Sequence, residues 1–450
     1  MEKKKYMIIG AARSGISASR FLRKNGCDVI LTDTKSYEEL CREDYGLPEL
    51  LTDKGIVTVF GRQPSDEEVL SCGEVIISPG VPPDIKPLQT AAANGIPVVS
   101  EVEFALRFFR GRIAAITGTN GKTTTTYLTA ALLKAAGFDS FECGNIGIPF
   151  IDRAGASEDS IAALEISSFQ LSMTEHMRPK AAVVTNITPD HLDRHKTMEN
   201  YIAAKARVFM NMKDDDVLIL NHDDPVVRGF KDKAQCRVKF FSIKDTDTDA
   251  YLLDGAIYLK DYGKVIDTKD MKIIGPHNAA NAMCALLVCE SFGADIKKCA
   301  EELKVFSPVE HRVEFVREVN GVRFVNDSKG TNPDATITAI NSFDCPLVMI
   351  LGGYDKHNDF DEMFELLVKK ARGFVVIGQT AEKIIETAEK FGFKNYQRAE
   401  TFEEAIDKAY GMAQSGDCVL LSPACASWGM FDNFEQRGEI FKDYVNKMKE

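Results

Sequence analysis

Short apolar runs rich in β-branched residues alternate along the chain with longer stretches in which apolar residues recur at helical spacing. This alternation is typical of α/β architecture, because a parallel strand covered by helices on both faces is apolar along its whole length. The runs predict three series of strands: residues 6–10, 28–32, 57–60 and 74–78; residues 112–118, 162–165, 181–186 and 217–221; and residues 322–326, 347–352, 373–378 and 417–422. Between the last two series, residues 238–266 predict a small antiparallel segment of short strands and tight turns.

Two breaks in this pattern divide the chain into three α/β domains. Near residues 95–103 a Gly-Ile-Pro turn precedes a helix that leads into a new strand, and near residues 306–312 Pro308 ends a helix. A chain of 450 residues also has room for three domains of roughly 150 residues each. We therefore predict domains at residues 1–100, 101–308 and 309–450.

The composition is that of an ordinary globular protein, with 44% hydrophobic and 27% charged residues. No apolar run approaches the roughly 20 residues that span a bilayer, so we expect a cytoplasmic protein without a membrane partner. The net charge of −12, without a block of basic residues, argues against nucleic acid or an anionic membrane as the main partner. The 11 cysteines lack the spacing of a metal site and are expected to stay reduced.

The sequence ITGTNGKTT at residues 116–124 stands between an apolar strand and a helical run. A glycine-rich turn at a helix N-terminus directs backbone N–H groups at phosphate oxygens, and the helix dipole favours their charge. Lys122 is expected to reach the distal phosphates, and the Thr123 hydroxyl suits Mg²⁺. The usual spacing has glycine in place of Ile116, so this is a variant loop, and a turn without a ligand is the alternative. The candidate nucleotide-binding residues are Gly118, Thr119, Asn120, Gly121, Lys122, Thr123 and Thr124.

Two candidate metal ligands, Glu165 and His191, follow predicted strands of the same series. Open α/β sheets place ligands at the carboxyl ends of their strands, and an oxygen and an imidazole there can hold Mg²⁺ beside a triphosphate. Taken alone, Glu165 is explained equally well as a charge at a helix N-terminus, and His191 as a turn histidine. Their position downstream of the phosphate loop favours the metal site.

The first domain begins with IIGAARSG at residues 8–15 and has an acid, Asp33, near the end of its second strand. This pattern is close to the G-x-G-x-x-G fingerprint of dinucleotide-binding domains, with Ala12 in place of the middle glycine. A nicotinamide-dependent dehydrogenase and a purely structural turn are both compatible with it. Because a side chain at position 12 obstructs the approach of a pyrophosphate, we favour a related nucleotide.

Seven short segments, in this order, resemble the Mur ligase and folylpolyglutamate synthetase family: TGTNGKTT at 117–124, GNIG at 144–147, LEISSFQL at 164–171, NITPDHLD at 186–193, AAK at 203–205, HNAAN at 277–281 and HR at 311–312. The resemblance implies Rossmann-like first and third domains and a central P-loop ATPase-type domain with a parallel sheet. It also implies ATP and two Mg²⁺ ions as cofactors, and catalysis by Lys122, Glu165, His191 and Lys205.

The same resemblance assigns further roles around ATP. Asn278 and Asn281 would contact the adenine side, with Arg312 and Asp327 contributing from the third domain. Lys205 would be carbamylated and, as an anion, would support the second metal ion together with Thr123, Glu165 and His191. From the residues alone, Asn278 is equally a helix cap and Arg312 with Asp327 a surface ion pair. Lys205 is equally a solvated lysine, or an ammonium that contacts phosphate directly.

Four segments of the third domain resemble family members that add D-glutamate: NDSKGTN at 326–332, GGYDK at 352–356, SPACAS at 422–427 and NFEQRG at 433–438. The implied small-molecule substrates are UDP-N-acetylmuramoyl-L-alanine and D-glutamate, and the expected active form is a monomer. Two groups of residues would bind them: Asp33, Thr34, Ser78, Gly80 and Asn145 for the nucleotide, and Lys329, Thr331, Lys356, Ser427 and Phe434 for D-glutamate. The alternatives are a ligase for another amino acid, a folylpolyglutamate synthetase, a nicotinamide-dependent oxidoreductase and a binding protein without activity.

Overall fold

The computed structural model describes residues 4–42, 46–82, 84–273, 275–307, 310–343, 345–355 and 358–449. Within them the chain forms three sheets in two structural units. The first unit comprises the described residues of Met1–Ile187, Arg194–Ile266 and Asn281–Leu303, and the second those of Thr188–Asp193, Asp267–Ala280 and Lys304–Glu450. No helix of the described chain is long and apolar enough to cross a membrane. The cysteines of the described residues are free thiols.

The first sheet has five parallel strands in the order β3-β2-β1-β4-β5. Its strands are β1 Tyr6–Ile9, β2 Val29–Asp33, β3 Ile56–Phe60, β4 Glu74–Ile77 and β5 Val98–Ser100. Its helices are α1 Arg13–Lys24, α2 Tyr37–Arg42, α3 Leu47–Leu50, α4 Asp66–Leu70 and α5 Lys86–Ala93. This is the doubly wound order of nucleotide-binding sheets, in which ligands lie outside the carboxyl ends of the strands. All four predicted strands are confirmed, and β5 was not predicted.

The second sheet has nine strands in the order β14-β13-β12-β11-β10-β9-β6-β8-β7. They are β6 Arg112–Thr117, β7 Ser140–Gly144, β8 Ile161–Glu165, β9 Ala181–Val184, β10 Val217–Asn221, β11 Arg237–Ser242, β12 Ala250–Leu253, β13 Ala256–Leu259 and β14 Gly263–Asp267. The helices are α6 Glu101–Leu106, α7 Lys122–Ala135, α8 Ser168–Ser172, α9 Leu192–His195, α10 Met198–Ala206, α11 Pro225–Arg228, α12 Pro276–Ser291 and α13 Ile296–Val305. Short 3₁₀ turns lie at Phe150–Arg153, Arg207–Phe209, Gly229–Lys233 and Thr268–Asp270.

The prediction of a separate antiparallel segment at residues 238–266 was wrong in part. β11 pairs in parallel with β10, and β12 in parallel with β11, so these strands extend the central sheet. The pairing of β12 with β13 is antiparallel, as predicted for this segment. Local turn residues identify a hairpin but do not show which sheet edge the preceding strand joins.

The third sheet lies in the second unit and has the order β15-β16-β20-β17-β18-β19. Its strands are β15 Glu314–Val319, β16 Val322–Asn326, β17 Leu347–Leu351, β18 Ala371–Val376, β19 Tyr396–Arg398 and β20 Cys418–Leu421. Its helices are α14 Pro333–Ile340, α15 Asp361–Lys370, α16 Ala381–Lys390, α17 Phe402–Met412 and α18 Phe434–Lys447. All pairings are parallel except that of β15 with β16, and buried apolar side chains cover both faces. The four predicted strands are confirmed.

A buried carboxyl lies where the chain passes from the first sheet to the second. Ser100 caps α6 by accepting the Glu103 N–H, and Glu101, the first residue of the helix, is 2% exposed. Its Oε1 accepts the Ile151 N–H at 2.6 Å, and Oε2 has no hydrogen-bond partner among the described residues. Burial, with a smaller contribution from the charge of Asp152, raises the pKa of the Glu101 carboxyl to about 7.

Replacing Glu101 with glutamine is expected to change how stability depends on pH. Since the folded-state pKa lies above the ordinary value of 4.5, the folded protein holds an extra proton between these pH values. Stability therefore falls as pH rises through this window, and Glu101→Gln removes the fall. Relative to the parent protein, the variant should gain up to about 3 kcal/mol in the free energy of unfolding between pH 5 and pH 8. Denaturant titrations at both pH values measure this, with exposed Glu67→Gln as the control. A difference that stays constant with pH would contradict the prediction.

Candidate active site

The loop between β6 and α7 has the backbone that a phosphate loop requires. Gly118 and Gly121 have φ values of 143° and 82°, in the left-handed region that favours glycine. A Cβ on Gly118 would lie 1.9 Å from Thr185 Oγ1, and one on Gly121 would lie 2.5 Å from Asn281 Oδ1. Only glycine fits at either position. The predicted order of strand, loop, Lys122 and helix is confirmed.

The first half of this loop is fastened to the segment that follows β9. Asn186 accepts the N–H groups of Thr119 and Asn120, each at 2.8 Å, through its backbone and side-chain oxygens. In return, Thr185 Oγ1 and Asn186 Nδ2 donate to the Asn120 carbonyl at 2.6 and 3.1 Å. These bonds hold the loop in place at the start of α7. The N–H groups in the first turn of a helix have no acceptor within the helix and suit phosphate oxygens.

Two lysine amino groups meet at one carbonyl of the loop. Lys122 Nζ and Lys205 Nζ donate to the Gly118 oxygen at 3.0 and 2.6 Å, and Lys122 also donates to the Thr119 oxygen at 2.6 Å. Lys205 lies on α10 and is only 2% exposed, which excludes the solvated surface lysine. Its Nζ lies 4.7 Å from the ring of Tyr201, whose hydroxyl is 3.1 Å from Thr119 Oγ1. Tyr201 was not predicted, although its spacing of four from Lys205 places both on one helix face.

Glu165 is the last residue of β8, next to β6 in the sheet. Its carboxylate is 1% exposed; Oε1 accepts from Asn145 Nδ2 at 2.9 Å, whereas Oε2 is buried without a hydrogen-bond partner in the described part of the chain. The following helix is capped by Ser167 in a capping box with Gln170, so Glu165 is not the helix-terminal charge. A buried carboxylate oxygen that lacks a protein donor fits a bound cation, and Mg²⁺ prefers oxygen ligands.

A cavity of about 600 Å³ opens at the carboxyl ends of the first sheet. Its lining includes the five residues predicted for the nucleotide substrate: Asp33, Thr34, Ser78, Gly80 and Asn145. Asp33 accepts the Ala11 N–H at 2.8 Å and the Lys35 N–H at 3.0 Å, so its carboxylate is fixed beside the glycine-rich turn. Because Asn145 also donates to Glu165, one side chain connects this cavity to the candidate metal ligand.

His191 belongs to the second unit. Its φ is 54°, and its Nε2 lies 3.4 Å from Oδ2 of the neighbouring Asp190. The same oxygen accepts from Asn332 Nδ2 at 3.2 Å, so the structure brings this histidine to the segment at 326–332. Asn278, which was predicted to contact the adenine side of ATP, lies in the first turn of α12 and is buried.

Asp327 is 1% exposed, which excludes a surface ion pair with Arg312. Its carboxylate accepts from the Val313 N–H at 3.2 Å and from Ser422 Oγ at 2.6 Å. Burial raises the pKa of Asp327 to about 6, and the charge of Arg312 opposes this rise. The Asp327 carboxyl is therefore held in a fixed position just after β16, where it accepts hydrogen bonds.

Buried Arg437 joins two of the predicted third-domain segments. Its guanidinium donates to Ser328 Oγ at 2.9 Å, to the Ser328 carbonyl at 2.7 Å and to the Cys425 carbonyl at 3.2 Å. Beside it, Lys329 Nζ lies 4.9 Å from the ring of Phe434. Of the other residues predicted for D-glutamate, Ser427 is buried and Thr331 half-buried. Lys356 lies outside the described residues.

Comparison with known proteins shows the family of the chain. Three family models match: the Mur ligase MurD-like N-terminal domain at residues 4–100, the Mur ligase middle domain at 116–289, and the Mur ligase glutamate ligase domain at 311–425. UDP-N-acetylmuramoylalanine–D-glutamate ligase of Caldicellulosiruptor bescii is 43% identical over 455 residues, which cover 100% of this chain and 98% of that one. The enzyme of the same name from Thermoanaerobacter sp. is 45% identical, over 100% and 99%. The chain belongs to the Mur ligase family.

Solved structures of Mur ligases share the fold. UDP-N-acetylmuramate–alanine ligase from Thermotoga maritima superposes with a TM-score of 0.65 at 18% identity, over 99% of this chain and 100% of that one. The MurF ligase of the same organism, in complex with ADP, gives 0.60 at 20% identity, over 93% and 95%. The predicted α/β fold class and family are thus confirmed. Family membership makes the chain an ATP-dependent amide-bond ligase that uses ATP and Mg²⁺, whereas the exact domain boundaries and site residues stay predictions.

Proposed function

We propose that the chain joins D-glutamate to the L-alanine carboxyl group of UDP-N-acetylmuramoyl-L-alanine in the synthesis of peptidoglycan precursors. The observation that carries this proposal is the side chain of Asn145, which lines the cavity of the first sheet and donates to Glu165. A nucleotide-linked carboxylate held in that cavity would be directed towards the metal ligand. Relatives bearing this activity in their names are 43% and 45% identical over the whole chain.

The proposed reaction has two steps. An oxygen of the alanine carboxylate attacks the γ-phosphorus of ATP, the bond from that phosphorus to the β–γ bridging oxygen breaks, and ADP leaves. The amine of D-glutamate then attacks the acyl phosphate, loses a proton, and the tetrahedral intermediate expels inorganic phosphate. Lys122 and the N–H groups at the start of α7 would stabilise the charge that develops on the transferred phosphoryl group.

Mg²⁺ would neutralise charge on the phosphates when it is bound. We propose Thr123, Glu165 and His191 as its ligands, with a carbamate on Lys205 as a further anion for a second ion. The crowding of two ammonium groups on the Gly118 oxygen supports a change of charge at Lys205. The Tyr201 ring attracts a cation and therefore favours the ammonium form of Lys205. A carbamate on Lys205 would require Nζ to move away from this ring.

D-Glutamate would bind in the third domain. We assign its two carboxylates to Lys329 and Lys356, because ammonium groups form charge-assisted hydrogen bonds with carboxylates. Thr331, Ser427 and Phe434 would complete the site. The adenine side of ATP is assigned to Asn278, Asn281, Arg312 and Asp327. One chain carries all these residues, so we propose a monomer that acts in the cytoplasm, where ATP and the nucleotide precursor are supplied.

An ADP-release assay tests the function. Sustained release is expected only when Mg²⁺, ATP, UDP-N-acetylmuramoyl-L-alanine and D-glutamate are all present. The alanine carboxylate must accept the phosphoryl group, and the D-glutamate amine must then accept the acyl group before the enzyme can turn over again. Each component is omitted in turn, and D-glutamate is replaced by L-lysine, diaminopimelate or L-glutamate. Turnover with L-lysine or diaminopimelate and none with D-glutamate would contradict the assignment. NADH-dependent chemistry without ADP release would favour an oxidoreductase.

A further inference from the structure

Arg194 on α9 binds the loop that follows β4. Its guanidinium donates to three successive carbonyl oxygens: Pro79 at 3.2 Å, Gly80 at 3.4 Å and Val81 at 2.8 Å. This loop lines the 600 Å³ cavity and contains two of the residues proposed to hold the nucleotide. Arg194 itself is not among the residues that line the cavity, so we assign its effect on a substrate to the loop.

Three adjacent carbonyls that point at one cation fix the orientation of the peptides in this loop. In a trans peptide the C=O and N–H point in opposite directions, so the bond to the Pro79 oxygen turns the Gly80 N–H away from Arg194. The Val81 N–H is already used, because it donates to the Ser78 oxygen at 3.1 Å. The Gly80 N–H is thus directed away from Arg194, and because Gly80 lines the cavity it suits an anionic oxygen bound there.

The Arg194 guanidinium also packs against an aromatic ring. Its carbon lies 4.0 Å from the centre of the Phe169 ring, which stacks on His195 with centroids 5.2 Å apart. A second cavity, of about 480 Å³, lies beside these residues and is also lined by Ser78 and Pro79. Because space rather than packed protein lies on this side, the loop depends on Arg194 for its position.

We propose that Arg194 is a positioning residue for the nucleotide substrate: it orients the loop of residues 78–81 so that the Gly80 N–H meets the diphosphate. The Ser78 hydroxyl donates to the Gly10 carbonyl at 3.0 Å and so ties this loop to the glycine-rich turn. The proposal rests on the function proposed above for the first cavity.

The test uses Arg194→Lys and Arg194→Ala in the full-length protein. Lysine keeps the charge but lacks the planar fork whose two nitrogens reach the three carbonyls, so the KM for UDP-N-acetylmuramoyl-L-alanine should rise about tenfold or more, while the KM values for ATP and D-glutamate stay within about twofold. Guanidinium ions at millimolar concentration should enter the second cavity and partly restore the KM of the alanine variant, and tetramethylammonium should not. A purely structural defect would change all three KM values and would not respond to guanidinium.

Arg207→Lys is the matched control. Arg207 also lines the second cavity and donates to two carbonyls, Leu171 at 2.9 Å and Thr174 at 2.8 Å, but it does not contact the loop. Its variant should keep the parent KM for the nucleotide. An unchanged KM in Arg194→Lys, a uniform change in all three KM values, or an equal rise in Arg207→Lys would overturn the proposal. Calorimetric titration with UDP alone separates the role of Arg194 from the proposed ligase function. If Arg194→Lys weakens UDP binding, the role of Arg194 is supported even if no ligase activity is found.

Discussion

Replacing Lys122 with alanine is expected to lower kcat by at least about a hundredfold. The ammonium of Lys122 is held by the Gly118 and Thr119 carbonyls of its own loop, so it already lies at the proposed phosphate site before a nucleotide arrives. A cation placed in advance costs little reorganisation when charge develops on the transferred phosphoryl group. Alanine removes this cation, while the Lys205 ammonium remains on the Gly118 oxygen.

The measurement is the steady-state rate of ADP release with all three substrates, together with the thermal melting temperature. Lys134→Ala is the control, because Lys134 is exposed in the last turn of the same helix and should affect neither quantity. A variant that raises only the KM for ATP would show that Lys122 binds ground and transition states equally. A kcat close to that of the parent protein would remove Lys122 from the catalytic residues.

The strands that sequence patterning missed share a place in the fold. β5, β7, β15 and β19 each stand at the edge of a sheet. Their residues are largely half-buried or exposed, unlike the fully buried runs of β1, β8 or β17. An edge strand pairs on one side only and needs no continuous apolar run, so it lacks the pattern by which the central strands were recognised.

The candidate site was predicted where its residues are close in sequence. The phosphate loop is one segment, and strand, glycine, lysine and helix follow one another in the required order. Arg194 and Tyr201 were missed because their partners are distant: Arg194 binds carbonyls about 113–115 residues away, and Tyr201 meets Thr119 across 82 residues. Local spacing carries no information on such pairings, which depend on how β4, β6 and α10 come together in the folded unit.

Lys205→Ala is expected to be nearly inactive, with a loss of at least about a hundredfold in kcat. Its amino group is buried against the Gly118 oxygen, so no solvent-exposed group can take its place. Two metal ions beside a triphosphate need more anionic ligands than Glu165 supplies, whereas an unmodified ammonium would repel them. A carbamate on Lys205 would remove this conflict and explain why a lysine is buried at a metal site.

Chemical rescue separates the carbamate from an ammonium that binds phosphate. If Lys205 supplies a carbamate, acetate or another short carboxylate should restore part of the ADP-release rate of Lys205→Ala, because the space left by the side chain then admits an anion beside the metal. Lys122→Ala is the matched control: it loses an ammonium from the same carbonyl oxygen and should gain nothing from carboxylates. Rescue of Lys205→Ala by small amines but not by carboxylates would overturn the carbamate and leave Lys205 as a phosphate-binding cation, the role that the ring of Tyr201 already favours.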